Sequence, residues 1–345
     1  MGGAYGAVVL PLRFVPDHEM QPGGGHEGLP NVVVDGSPNP STRLTLSHWP
    51  GSPTPPELRL DLSAEIAFAA LDRPELFDGI GAVTNNHADQ DGAMAAFALV
   101  DPPAALARRD LAIEVARAGD FGIARDRTAG RIAMTLAAFE DVERGPFGPD
   151  VLDGPYPEVC GRLYLSILPL VPELLDHPDR WRHLWDEEDA HLDASLAAIA
   201  DGTVRVEEDV ELDLAVVHVP DDWAQRAASR FTMTVSSALH PMALPTSTER
   251  LRLLVFEGDR PRLELRYETW VMLTSRAVLP RPDLRELATR LAELDGHPWQ
   301  ADPPGALVPG MQPVAGSSLA PATVRAEIER FLASAPRAWD PFASR

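Results

Sequence analysis

The sequence contains no lysine, so all 30 of its basic residues are arginine. This excludes Schiff-base and pyridoxal-phosphate enzymes, P-loop nucleotide hydrolases and protein kinases, because each of these needs a lysine at its site. The sequence also has a single cysteine, Cys160. One cysteine excludes an internal disulfide, a Cys-based zinc module and a Cys-ligated iron–sulfur cluster. We therefore expect Cys160 to be a small core residue.

Positive charge is scarce in this chain. It has 52 acidic residues against 30 basic ones, a net charge of −22 and an isoelectric point of about 4.8. Such a surface repels phosphate backbones, so we expect no long nucleic acid as a partner, whereas it is compatible with binding divalent cations. No apolar run approaches the ~18 residues of a membrane span, and no basic segment precedes an apolar core. We expect no membrane association and a cytoplasmic location.

The order of patterns along the 345 residues predicts an α/β fold with two domains. A short apolar strand at 80–84 leads into a polar loop and then a small-residue helix from 93 to 100, which is the opening unit of an α/β sheet. After a turn at 201–202, strand patterns dominate, as in 250–257. We predict a mostly parallel sheet in a domain spanning 1–200. A smaller mixed α+β domain spanning 201–345 is expected to cover the substrate.

The polar loop carries the clearest candidate site, His87-x-Asp89-x-Asp91-Gly92. Alternate residues of an extended segment point the same way, so the three side chains are expected to converge on one cation. Two carboxylates with one imidazole suit Mn²⁺ or Mg²⁺ better than a thiolate-type zinc site. Gly92 permits a sharp turn into the helix. The simpler interpretation is a polar loop in which Asp91 only caps the helix.

The run from 82 to 92, followed by a small-residue helix, resembles the first motif of the DHH-type phosphoesterases. The resemblance implies a site for Mn²⁺ or Mg²⁺ ions whose activated water attacks phosphorus. It also implies metal-ligand roles for His87, Asp89 and Asp91, with His87 and Asp91 acting in catalysis. In that family a second strand ends in a further metal-ligand aspartate. The segment 110–120 resembles that strand, which makes Asp120 the fourth candidate ligand.

The resemblance extends to the C-terminal part, where the family places substrate-binding groups on a strand and a glycine-containing His loop. By this likeness we expect substrate-binding roles for Arg266, Glu268, Arg276 and His297. Arg266 and Glu268 would share one face of a strand, since two residues separate them. An arginine fork there would grip a phosphate or carboxylate, and a cross-strand salt bridge is the simpler alternative.

The chain departs from the DHH type because it has no Asp-His-His triplet. His48, in a His-Trp-Pro-Gly loop, is a candidate for an additional ligand, or for a residue that anchors the loop. The whole chain also resembles an uncharacterised bacterial family of domain-of-unknown-function proteins that share the His-Trp-Pro-Gly and His-x-Asp-x-Asp-Gly segments.

The sequence leaves three functions open. The first is a metal-dependent phosphoesterase for a small phosphorylated molecule or short nucleotide, with a homodimer possible. The second is a non-catalytic binding or scaffold protein descended from that fold. The third is a metal-dependent enzyme of different chemistry on the same scaffold.

Overall fold

The structure is a computed structural model that describes residues 11–221, 223 and 236–343. The chain divides into two compact units, Met1–Glu187 and Glu188–Arg345. A four-stranded parallel sheet lies in the first unit and a six-stranded mixed sheet in the second. The predicted fold class is thus confirmed.

The first unit builds its sheet from four short strands, in the order β1-β4-β2-β3. These strands are β1 (Arg13–Phe14), β2 (Asn31–Val34), β3 (Thr42–Leu46) and β4 (Ala82–Thr84). All three pairings are parallel, and β2 and β4 are buried along their whole length. Strands of a parallel sheet are covered on both faces, which explains why β2 reads as an uninterrupted Asn-Val-Val-Val run.

Helices surround this sheet. They are α1 (Asp17–Met20), α2 (Ser63–Ala70), α3 (Gln90–Val100), α4 (Pro102–Leu106), α5 (Arg109–Asp120), α6 (Arg127–Ala138), α7 (Pro149–Leu152), α8 (Tyr156–Ile167) and α9 (Val171–Asp176). Short 3-10 turns lie at Pro56–Leu58, Pro74–Phe77, Leu168–Leu170 and Pro178–Trp181. Helix α3 is the central one, because it is buried from Asp91 to Leu99. Its alanines allow the neighbouring α2 and α5 to pack closely against it.

Helix α10 (Arg182–Ala200) precedes the second sheet. That sheet has the order β5-β6-β7-β8-β10-β9. Its strands are β5 (Arg205–Asp209), β6 (Leu214–Val219), β7 (Arg252–Glu257), β8 (Arg260–Leu265), β9 (Trp299–Ala301) and β10 (Gly310–Pro313). The remaining helices are α11 (Ala243–Ser247), α12 (Leu284–Asp295) and α13 (Pro321–Leu332), with a 3-10 turn at Tyr267–Thr269.

Side-chain alternation gives the second sheet a core on each face. Along β6, Leu214 and Val216 pack with α12 and α13, whereas Ala215 and Val217 pack on the opposite side. Only the β6–β7 pairing is parallel among the described strands of this sheet. A hairpin turn joins β7 and β8, and Gly258 there has a φ of 58°.

Two segments differ from the sequence expectations. The segment ending at Asp120 is helix α5, not a strand, because its apolar residues recur at helical spacing around Ala112, Val115 and Ala116. Strand β8 ends at Leu265, so Arg266 and Glu268 do not alternate on a strand face. Within the described residues, no helix combines the length and apolar character needed to cross a membrane. Cys160 is buried, as predicted.

Candidate metal centre

Two candidate ligands follow neighbouring parallel strands directly. Asp35 comes immediately after β2, and His48 comes two residues after the end of β3. Because the carboxyl ends of parallel strands meet at one edge of the sheet, the two side chains converge there. Asp35 has a φ of 43°, a left-handed conformation that aspartate tolerates better than most residues. This turn directs the chain away from the sheet after β2.

Asp91 reaches the same place from the first turn of α3. Its Oδ2 atom accepts the backbone N–H of Ser63, and its Oδ1 atom accepts that of Ala64, both at 2.7 Å. These N–H groups begin α2, whose own N-cap position is the apolar Leu62. Helix starts need acceptors for their first N–H groups, so Asp91 caps α2 from a distant part of the chain. The interaction fixes the carboxylate firmly.

The imidazole of His48 lies among three carboxylates. Its Nε2 atom is 3.3 Å from Oδ2 of Asp120, 3.5 Å from Oδ1 of Asp35 and 3.8 Å from Oδ2 of Asp91. One ligand atom each from Asp35, His48 and Asp91 fit within 4.8 Å of one another, and all three residues are buried. Ligands held ~2.1 Å from an octahedral ion lie about 3 Å apart, so the spacing suits one cation.

The hydrogen bond of Nδ1, the second nitrogen of His48, determines whether Nε2 carries a proton or a lone pair. Nδ1 lies 2.5 Å from the carbonyl oxygen of Asp61, which only accepts hydrogen bonds. Nδ1 therefore carries the proton, and in the neutral ring Nε2 carries the lone pair. Metal-binding histidines are usually oriented in this way, by a carbonyl or carboxylate on the other nitrogen.

Protonation of the cluster follows from its burial. Burial raises the pKa of Asp35 well above its usual range, and the carboxylates of Asp89 and Asp91 raise it further. Burial, and then Asp89, raise the pKa of Asp91 to about 7, although the two backbone N–H groups oppose this. Burial lowers the pKa of His48 to about 4, so its ring is neutral at pH 7. The raised pKa values favour protonated carboxyls in the metal-free cluster, and a bound cation would displace these protons.

The donor set fits a hard divalent cation. Three carboxylates and one neutral imidazole, with no thiolate, suit Mn²⁺ or Mg²⁺. We therefore identify Asp35, His48, Asp91 and Asp120 as the acidic cluster of a candidate metal centre. Two of the four predicted ligands, Asp91 and Asp120, belong to it.

The other two predicted ligands form an ion pair beside the acidic cluster. Nε2 of His87 lies 2.9 Å from Oδ2 of Asp89, and the His87 side chain is 40% exposed. Burial opposes protonation of His87, but the Asp89 carboxylate prevails and raises the pKa of the imidazole. The expected alternation of His87, Asp89 and Asp91 does not occur, because α3 begins at Gln90 and Asp89 caps it by accepting the N–H of Gly92 at 2.8 Å.

Helix α8 holds the 85–89 loop in place through Tyr164. The Tyr164 hydroxyl accepts a hydrogen bond from Asn85 Nδ2 at 2.7 Å and donates one to the carbonyl of His87 at 2.8 Å. Gly92 lies against the same hydroxyl: a Cβ there would be 2.2 Å from it. Glycine is therefore needed at this position for close packing against Tyr164. The sharp turn expected at Gly92 is not observed, because this residue lies inside α3 and has no positive φ.

A small pocket lies against Asp89, with Leu136, Glu140 and Leu163 among its walls. Burial raises the pKa of Glu140 to about 7, and the negative charge of Asp89 contributes. A carboxyl with a pKa near neutrality can give or take a proton at physiological pH. Sequence reasoning did not identify Glu140.

The four predicted substrate-binding residues all belong to the C-terminal unit. Arg266 and Glu268 form a buried ion pair, and Arg266 also donates to the carbonyls of Thr248 and Arg250. Arg276 pairs with Asp213 at 2.9 Å and donates to the carbonyl of Glu249. His297 is exposed just after the end of α12. The structure thus gives the arginines partners within the unit, and a phosphate-binding role for them stays a prediction.

The cluster residue that sequence reasoning missed is Asp35. Its signal is an aspartate followed by glycine directly after three consecutive valines at the end of a buried strand, a position where open α/β sheets bind ligands. His48 was a candidate because of its loop, and the structure places it at the centre.

The fold and the site define an α/β protein with an acidic candidate metal centre at the carboxyl edge of a parallel sheet. The chain belongs to a family of unknown function (DUF6687), whose family model matches residues 11–343, almost the whole chain. This confirms the resemblance to an uncharacterised family. No curated protein and no solved structure gives a significant match.

Proposed function

We propose that this protein is a divalent-metal-dependent phosphoesterase that acts on a small phosphorylated molecule or a short nucleotide. The observation that carries the proposal is the acidic cluster: His48 Nε2, with its lone pair fixed by the Asp61 carbonyl, faces Asp35, Asp91 and Asp120 within 3.8 Å. The resemblance of 82–92 to the DHH-type first motif supports phosphate chemistry. A bound Mn²⁺ or Mg²⁺ would supply Lewis-acid activation of a phosphoryl group and of water.

The protein's own groups divide into those that hold the cation and those that handle protons. Asp35, His48, Asp91 and Asp120 are buried and would bind the ion. His87 and Asp89 lie beside them, with side chains 40% and 21% exposed, on the side that a substrate can reach. In this proposal the His87 imidazolium, stabilised by Asp89, donates a proton to the departing oxygen.

The net charge of −22 limits the substrate to a small anion, since an extended phosphate backbone would be repelled. A cytoplasmic location, a homodimeric state and exclusion of long nucleic acid belong to the same proposal and rest on the sequence.

The test begins with metal content. Untagged protein is loaded with Mn²⁺ or Mg²⁺, desalted and analysed by elemental mass spectrometry, alongside Asp35→Asn and the matched control Asp78→Asn. Asp78 is an exposed aspartate of the same unit. We expect about one divalent ion per chain in the wild type and in Asp78→Asn, and loss of it in Asp35→Asn, because that variant removes a charged ligand. No ion in the wild type overturns the proposal.

Turnover is then measured on p-nitrophenyl phosphate, bis(p-nitrophenyl) phosphate and a diadenylate. We expect cleavage that depends on the added metal and is lost in Asp35→Asn. Stoichiometric metal without cleavage of any phosphoester rejects the phosphoesterase and leaves a metal enzyme of different chemistry or a non-catalytic binding protein.

A further inference from the structure

A cleft of about 260 Å³ lies in the C-terminal unit, and none of its walls comes from the acidic cluster. It runs between the segment 271–281 and the C-terminal segment 337–342. Its walls are largely apolar, with Val271, Val278 and Pro341 among them, and its rim carries Leu279 and Phe342, which are 39% and 51% exposed. Pockets with such walls and few polar groups are typical small-molecule sites.

One wall of the cleft contains a buried cation, Arg281, which is only 3% exposed. Its Nε donates to the Thr269 hydroxyl, its Nη1 to the carbonyls of Pro304 and Ala306, and its Nη2 to the carbonyl of Leu307. A guanidinium has five N–H groups, so these four bonds leave one Nη2 proton without a partner among the described residues.

The charge of Arg281 is also uncompensated, since no carboxylate in the described part of the chain pairs with it. Its hydrogen-bond partners are neutral carbonyls and a hydroxyl, and burial lowers its pKa to about 9. A buried charge without a counterion is costly, and this chain has 52 acidic residues from which a counterion could come. The absence of a paired acid therefore points to an anion from elsewhere.

The other two arginines of the walls each have an acidic partner, Asp340 within the walls and Asp213 outside them. Arg276 pairs with Asp213 at 2.9 Å, and Arg337 pairs with Asp340 at 2.6 Å. Arg281 is thus the one arginine of the walls for which the described residues supply no acidic partner. A single guanidinium without a counterion matches the single charge of a carboxylate.

Trp339 provides a second under-satisfied donor on the same walls. Its indole N–H is buried and has no acceptor among the described residues. The backbone N–H groups of Ala338 and Trp339 both donate to the carbonyl of Arg281, so the C-terminal segment is attached to the cation's own backbone. The wall that carries the open donors is therefore a fixed part of the unit.

We propose that this cleft binds a small monoanionic carboxylate with an apolar body, whose carboxylate pairs with Arg281 and whose body lies between Leu279 and Phe342. The proposal does not depend on the phosphoesterase activity. It assigns the C-terminal unit a ligand of its own, a substrate fragment or an effector that carries a carboxylate.

The test compares an acid with its neutral analogue. Binding of 3-phenylpropionate and of 3-phenylpropan-1-ol to the full chain is measured by isothermal titration calorimetry, up to about 10 mM ligand. We expect the acid to bind with a dissociation constant of about 1 mM or tighter, and the alcohol at least ~10-fold more weakly. Equal affinities, or no binding of the acid over this range, would overturn the proposal.

Variants then locate the binding. Leu279→Asp and Leu279→Asn have nearly the same shape and both remove the apolar contact with the ligand, so both should weaken the acid. Leu279→Asp also places a negative charge on the rim and should weaken it roughly tenfold more than Leu279→Asn. Arg281 itself is left intact because it holds three backbone carbonyls. Leu294→Asp, on an exposed part of α12, is the remote control.

Two further measurements distinguish other anion sites. Asp35→Asn should bind 3-phenylpropionate as the wild type does, because the acidic cluster lies in the other unit. Phenyl phosphate should bind more weakly than 3-phenylpropionate. Tighter binding of phenyl phosphate, or loss of carboxylate binding in Asp35→Asn, contradicts the assignment.

Discussion

The Nε2 atom of His48 lies 3.8 Å from the Oδ2 atom of Asp91, and neither side chain is exposed to solvent. The same Oδ2 atom accepts the backbone N–H of Ser63 at 2.7 Å. Asp91 therefore serves the acidic cluster and the start of α2 together. A substitution at Asp91 would disturb the cluster and the start of α2 at the same time. A loss of metal binding in such a variant would therefore not show whether a ligand or the local fold had been lost. Asp35 and His48 are the better positions for testing the site.

Metal binding should stabilise the N-terminal unit, because the folded cluster binds the ion and the unfolded chain does not. At a free Mn²⁺ concentration of about 100 times the dissociation constant, the gain is about 2.7 kcal/mol. For a unit of this size that corresponds to roughly 5–10 °C in melting temperature. Differential scanning calorimetry of the protein with EDTA and with Mn²⁺ measures it. An unchanged melting temperature with Mn²⁺, Mg²⁺ and Zn²⁺ would contradict the metal centre.

Asp35→Asn should abolish metal binding and yet stabilise the metal-free protein. Asn fits the left-handed backbone of residue 35, and its side-chain oxygen can still accept from the Ser63 hydroxyl, now 2.8 Å from Asp35. Burial keeps the pKa of Asp35 well above its usual range, so at pH 7.5 the carboxyl costs free energy that a neutral amide does not.

We expect a gain on the order of 1–3 kcal/mol in the free energy of unfolding in EDTA, measured by urea titration. Asp78→Asn is the matched control and should change stability by less than ~0.5 kcal/mol. If Asp35→Asn destabilises the metal-free protein, then Asp35 has a structural role and the argument from the burial of its carboxyl fails.

Local patterns in the sequence were sufficient for part of this site. A buried strand, a polar loop and an alanine-rich helix place Asp91 and Gly92 at the carboxyl edge of a parallel sheet, and β4 and α3 confirm this unit. His48 stood out because it lies in a His-Trp-Pro-Gly loop. Composition correctly indicated a buried Cys160.

The remainder depends on which strands are neighbours. Asp35 joins the site because β2 lies between β3 and β4, an order that no short-range pattern specifies. Asp120 is positioned by a helix and not by the strand that the resemblance implied, because the amphipathic pattern of α5 prevails. His87 and Asp89 point elsewhere than expected, since the helix begins one residue after Asp89. Helix starts are the least certain feature of any sequence pattern.

Tyr164→Phe should destabilise the N-terminal unit more than Tyr156→Phe. The Tyr164 hydroxyl is buried and bonds to Asn85 Nδ2 and to the His87 carbonyl, and its loss leaves both without this partner. We expect a cost of about 1–3 kcal/mol. Tyr156 is half-exposed and its hydroxyl accepts a longer bond, 3.1 Å from the N–H of Ala88, so its cost should be under ~1 kcal/mol. Urea unfolding of the two variants measures the difference, and equal costs would contradict the assigned role of Tyr164.

The C-terminal unit should have a stability that falls as pH rises, because of Glu264. This residue is only 6% exposed, and burial raises its pKa to about 7 although Arg262 lies 3.3 Å away. A carboxyl whose pKa is higher in the folded state binds protons more tightly there. Its stabilising contribution is therefore full below a pH of about 4.5 and is lost as the pH rises through about 7.

Glu264→Gln resembles the protonated acid, so it should match the wild type at about pH 4 and exceed it above pH 7. The rise of the Glu264 pKa from 4.5 to about 7 corresponds to up to about 3 kcal/mol at pH 8. Guanidinium unfolding of the C-terminal unit at a series of pH values gives the difference in unfolding free energy between the two proteins. Glu293→Gln, on the exposed side of α12, is the control whose difference from the wild type should not vary with pH. If the difference in unfolding free energy between Glu264→Gln and the wild type is also independent of pH, the prediction is wrong. The attraction of Arg262 would then compensate for the cost of burying the Glu264 carboxylate.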